Sequence, residues 1–128
     1  MGCYVKPEQF FNLIFGYYNT QAEDKSVAGT GHIVFANGTA VPAGEIWVVT
    51  SITCWHSDST ARRVWLLVSI AGDRYIESKP GLAQWDTFSK QGQWVLGTGN
   101  FVRARFDDIA SGTTGYLSYT GYKMKRVQ

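Results

Sequence analysis

The sequence predicts an all-β fold, an antiparallel sandwich of about eight short strands. Three observations carry that reading. Val41-Pro42-Ala43-Gly44 is a Pro/Gly turn that feeds Glu45 to Trp55, a run of β-branched and aromatic side chains suited to a pleated, half-buried surface. Turn signals recur about every 8–12 residues from Val27 to Met124. The chain has 128 residues, 45% hydrophobic, 15% aromatic and 17% charged, so it holds one domain with a real core and a weakly charged surface.

The first segment differs from the rest. Pro7-Glu8 has the form of a helix start, and Phe10, Leu13, Ile14, Tyr17 and Tyr18 follow helical spacing, with Phe11 and Phe15 widening the apolar face. A short N-terminal helix or arm is therefore expected over Pro7 to Tyr18, with a strand from Leu13 to Tyr18 as its rival. Polar Asn19 to Ser26 reads as a linker. The expected division is a hydrophobic arm and linker over 1–26 and a β-sandwich domain over 27–128.

Strands follow in order. Val27 to Ala36 ends at Asn37-Gly38, a tight-turn dipeptide. Glu45 to Trp55 is the longest and is closed by His56-Ser57-Asp58-Ser59. Arg62 to Ala71 is apolar on both faces, which suits a central strand. Arg74 to Ser78 is broken by Lys79-Pro80-Gly81, and Gln84 to Phe88 and Gln93 to Leu96 come next. Phe101 to Phe106 alternates, with Phe101, Arg103 and Arg105 on one face and Val102, Ala104 and Phe106 on the other. Tyr116 to Met124 is the last strand. Many short strands with regular turns are the cue for a jelly-roll-like sandwich.

The chemistry is sparse. A net charge of +2 and a pI near 8.6 are too mild to demand nucleic acid, which selects a concentrated basic stripe. No stretch is long and apolar enough for membrane insertion, and no secretory leader is evident at Met1 to Lys6. Cys3 and Cys54 read as reduced thiols. His56, Ser57 and Asp58 have the residue types of a hydrolytic triad, but neighbours in one turn cannot converge as a relay, and Asp58 is expected to serve turn backbone instead. With His32 the only other histidine, no zinc spacing exists; Asp107-Asp108 beside the loop from Ser111 to Gly115 reads as a solvated turn before a Ca²⁺ site. No enzyme activity and no cofactor are expected.

Five tryptophans remain. Trp47 and Trp55, at an even separation in one strand, should face the same side, and their strand is apolar enough to place both in the core. Trp85 and Trp94 sit among Gln84, Asp86, Gln91 and Gln93 and are the pair expected at the surface, against a surface glycan or a subunit neighbour.

Gln21 to Ala36, the Val41 to Thr53 turn and strand, Gly99-Asn100-Phe101-Val102-Arg103-Ala104-Arg105-Phe106, and Tyr116 to Met124 together resemble small jelly-roll structural proteins of tailed bacteriophages. The likeness covers about residues 21–124 and contains no catalytic signature. It implies a noncatalytic virion component: a capsid decoration or cement protein, a head fibre or a tail-associated module, made in the host cytoplasm and carried in the virion. It also implies a homotrimer that contacts a major capsid or other virion protein. Burying a large apolar segment against a neighbour removes it from water, so Phe10, Phe11, Ile14, Phe15 and Tyr18 are the expected partner-binding residues. The alternative is a carbohydrate-binding or receptor-binding module on a phage tail or fibre.

Overall fold

The computed structural model describes residues 15–126, with side chains from 22 to 125. Eight strands run in chain order: β1 Phe15–Ala28, β2 Val34–Asn37, β3 Glu45–His56, β4 Arg62–Ser69, β5 Asp73–Leu82, β6 Phe88–Leu96, β7 Phe101–Phe106 and β8 Thr114–Arg126. They form two four-stranded sheets, β1-β8-β3-β6 and β2-β7-β4-β5. Every pairing is antiparallel, and the chain crosses from one sheet to the other at every connection except the β4–β5 hairpin, the order of a jelly roll. The jelly-roll-like sandwich expected from the turn spacing is the observed fold.

The core lies between the sheets, built chiefly from alternate side chains of the four interior strands, β3, β4, β7 and β8. Ile52 and Cys54 of β3, Val64, Leu66 and Val68 of β4, Val102, Ala104 and Phe106 of β7, and Leu117 and Tyr119 of β8 belong to one buried cluster. β4 is central, between β7 and β5, as its two apolar faces predict.

The sheet pairings correct several local expectations. Asn19 to Ser26 is the middle of β1 and pairs with β8 residue by residue, so the boundary expected at 26/27 falls inside a strand. Its polarity misled because an edge strand needs one ladder and little burial; Glu23 faces inward and is satisfied by Tyr119 and Thr39. The helix expected through Tyr18 does not extend over 15–18, where the rival strand reading holds; 7–14, with Phe10, Phe11 and Ile14, lie outside the described residues. Phe15 and Tyr18 pair with Arg126 and Met124 of β8.

Asn37-Gly38 does not form the expected tight turn; Asn37 ends β2 and no turn follows at Gly38. β2 and β3 belong to different sheets, and Gly38 N–H donates to Val102 instead. Pro80 does not end β5, because β5 is an edge strand whose register with β4 shifts beside it, between Arg62 and Val64. Gln84 to Phe88 is mostly a turn leading into β6, which absorbs the segment from Gln93 to Leu96. Eight strands are expected and eight are observed, because Val27 to Ala36 is divided between β1 and β2 while Gln84 to Phe88 contributes only Phe88 to β6.

Candidate functional site

At one end of the sandwich His56, Ser57 and Asp58 form a structural knot. His56 is fully buried; its Nδ1 accepts from the Asp58 N–H at 3.1 Å, so Nε2 carries the proton and donates to Leu82 O at 2.7 Å. Asp58 is buried and accepts from Thr60 N–H, Ala110 N–H and Arg62 Nε, each at 2.9 Å. Donation from the Thr60 backbone first, then from Ala110 and Arg62, holds its carboxyl below the usual range against the upward pull of burial. Ser57 Oγ accepts from Thr114 N–H, and no nucleophile faces a base here. Asp58 serves the turn backbone, as its sequence position predicts.

The tryptophans divide differently from expectation. Between Val49 and Ser51 the β3 register shifts by one residue against β8, with Thr50 the extra member. The bulge reverses the parity: Trp47 points into the core, 4% exposed, and Trp55 lies on the outer face of the β1-β8-β3-β6 sheet. There Trp55 stacks on its β8 partner Tyr116, ring centroids 5.4 Å apart and planes within 10°. Trp85, in the β5–β6 turn, lies 6.2 Å from Tyr116 at a 32° tilt and is 58% exposed. Trp94 does not join it. It pairs with Val49 near the far end of β3 and packs against the core, and the Gly92 Cα hydrogens face its ring. The exposed aromatic group is therefore Trp85, Tyr116 and Trp55, with Tyr116 the member that composition around the tryptophans could not reveal.

The outer face of the β2-β7-β4-β5 sheet has another character. Arg103 lies over the Phe35 ring at 3.8 Å and donates to Asn37 Oδ1 and to both Asp73 oxygens, at 2.7–2.8 Å. Arg105 donates to Asp107 Oδ1 at 2.7 Å and to the Tyr75 hydroxyl at 3.1 Å, and lies over Trp65. Trp65 meets Tyr75 edge to face at 5.2 Å and donates to Asp107 Oδ2. The two arginines on one face of β7, read from the alternation, are thus held flat among aromatic rings with their charges compensated. Asp107 is committed to this network through both carboxylate oxygens.

Two further buried groups are accounted for. Tyr119 donates to Glu23 Oε1 at 2.6 Å, and Thr39 donates to the same carboxylate through both N–H and Oγ1. Burial pushes Glu23 up, but these donors outweigh it and its carboxyl sits below the ordinary range; Tyr119 is held above its own, by burial and by the facing carboxylate. Burial pushes the Cys54 thiol up to about 12. Among the described residues no three His, Cys, Asp or Glu side chains gather as a metal site, and no helix is long and apolar enough to cross a membrane.

Fold and side chains together define a small β-sandwich of the jelly-roll kind whose elaborated features are its two outer faces. Its architecture is similar to that of a chain in the acid-stable capsid of Helicobacter pylori bacteriophage KHP30, with 12% identity, 83% of this chain and 87% of that chain covered, and a TM-score of 0.54. It is likewise similar to a chain of the cyanophage Pam1 capsid, with 20% identity, 84% and 86% covered, and a TM-score of 0.51. These likenesses are of fold. No protein-family model matches the chain, and no curated protein matches it.

Proposed function

We propose that this chain is a noncatalytic virion structural protein, a capsid decoration or cement protein that stabilises a shell through protein contacts. The observation that carries the reading is the jelly-roll sandwich, a fold similar over most of the chain to that of chains in two phage capsid structures. Two surfaces support it. The arginine and aromatic face around Arg103, Arg105, Trp65 and Tyr75 has the composition of an interface centre, and its side chains are already fixed, so docking there loses little conformational freedom. At the far end of the opposite sheet, Val95 is 58% exposed beside Val48, and β1 begins there, with Tyr18 opposite Met124. Phe10, Phe11, Ile14, Phe15 and Tyr18 are proposed to extend that apolar end onto a neighbouring copy, in a homotrimer seated on a major capsid protein.

The test uses the full chain. Antibody raised against it should label intact phage particles released by cells that make it, and light scattering should give a closed oligomer. Phe10→Ser with Phe11→Ser should lower that mass to the protomer while leaving the thermal melt of the sandwich in place. Absence from particles would overturn the virion reading; an unchanged oligomer would remove the arm from the interface.

A further inference from the structure

We infer that the outer face of the β1-β8-β3-β6 sheet, at the end carrying Trp55, Tyr116 and Trp85, binds an uncharged saccharide chain. Trp85 supplies the first argument. It is the most exposed of the tryptophans described and has φ 64°, a left-handed backbone that a bulky side chain adopts only at a cost. A fold would avoid both features at one turn residue, and glycine would serve the turn without either. The conformation is nevertheless held firmly, by Trp85 N–H to His56 O at 2.9 Å and Gln84 Nε2 to Ser57 O at 2.9 Å. The buried His56–Asp58 knot therefore presents an aromatic plane to solvent in a fixed pose, tilted against Tyr116.

The second argument is the surface beside the rings. The ladder registers set Ser26, Tyr116 and Trp55 in one row across the sheet, and Asp24, Ser118, Thr53 and Ser89 in the next. A third row is Ala22, Thr120, Ser51 and Gln91. All of them lie on the outward parity and retain exposure. An aromatic row thus borders a track of hydroxyl and amide groups with a single carboxylate and no lysine or arginine. A phosphate backbone would find no cation there. A protein partner would have to bury the hydroxyl track while matching each donor and acceptor. A sugar polymer supplies hydroxyls to that track at each ring, and the C–H face of a pyranose rests on the electron-rich face of an indole.

The experiment is binding of the full chain to an array of neutral and anionic glycans, followed by affinity electrophoresis in gels containing each neutral polysaccharide that responds. The expected result is binding to a neutral glycan, weakened at least about tenfold by Trp85→Gly. That variant removes the ring and relieves the backbone, so its melting temperature should be unchanged or raised. Thr53→Val should weaken binding with the ring intact, and Tyr75→Ala on the opposite sheet should leave it unchanged. No response from any neutral glycan, binding confined to anionic glycans, or full binding by Trp85→Gly would each overturn the inference. None of these outcomes bears on whether antibody labels the virion, so this site and the structural role fail separately.

Discussion

Asp58 takes three hydrogen bonds from three parts of the chain: its own turn, β4 and the β7–β8 loop. Asp58→Ala removes the acceptor from two backbone N–H groups and from Arg62, so the expected loss is about 3–4 kcal/mol. For a domain of this size that lowers the melting temperature by roughly 10 °C or more, measurable by calorimetry. Tyr119 offers a gentler contrast. Tyr119→Phe deletes the donor to Glu23 while Thr39 continues to donate, and about 1–2 kcal/mol is expected from chemical denaturation. Residue type alone pointed to Asp58 as a backbone acceptor and to Trp85 as an exposed ring, because both readings depend only on local sequence. It could not place Tyr116 next to Trp85, since that contact joins a turn to a strand 31 positions later through the β3–β8 ladder.

At the scale of the element, the decisive feature of β3 is its bulge. Gly121 lies opposite, paired with Val49, and a Cβ there would run into the Val48 carbonyl and the Val49 Cα. Those obstacles are backbone and cannot swing aside. Gly121→Ala should therefore cost about 3 kcal/mol or more by overpacking, and equilibrium unfolding in urea should show a lower midpoint with the slope retained. An unchanged midpoint would mean that the bulge relaxes freely. Deleting Thr50 tests the same device from the other strand: without the extra residue, Trp47 and the Ile52 end of β3 cannot both face inward. The bulge also marks where sequence reading ended. β7 and the central β4 were legible because burial of one face, or of both, writes a period into the residues. β1 was not, since its edge position leaves polar side chains on both faces, and a one-residue bulge leaves no compositional trace.

For the molecule as a whole, two carboxylates fasten the parts that the ladders do not. Glu23 ties edge strand β1 of one sheet to Thr39, in the connection leaving β2 of the other, and Asp58 ties the β3–β4 turn to the β7–β8 loop. Both are held below their ordinary values of 4.5 and 3.8, Glu23 by donors that outweigh its burial and Asp58 by the Thr60 backbone first. The folded form therefore binds their protons less readily than the unfolded chain does. Their stabilisation is complete above the unfolded values and is lost as pH falls through the lowered folded ones. Melting temperature should hold down to about pH 5 and decline below about pH 4. Glu23→Gln with Asp58→Asn should be less stable at neutral pH, where the charged acceptors are missing, and should decline less steeply in acid, so that the two curves converge. Parallel curves would show that other acids govern the decline and that these two fastenings are not what acid releases.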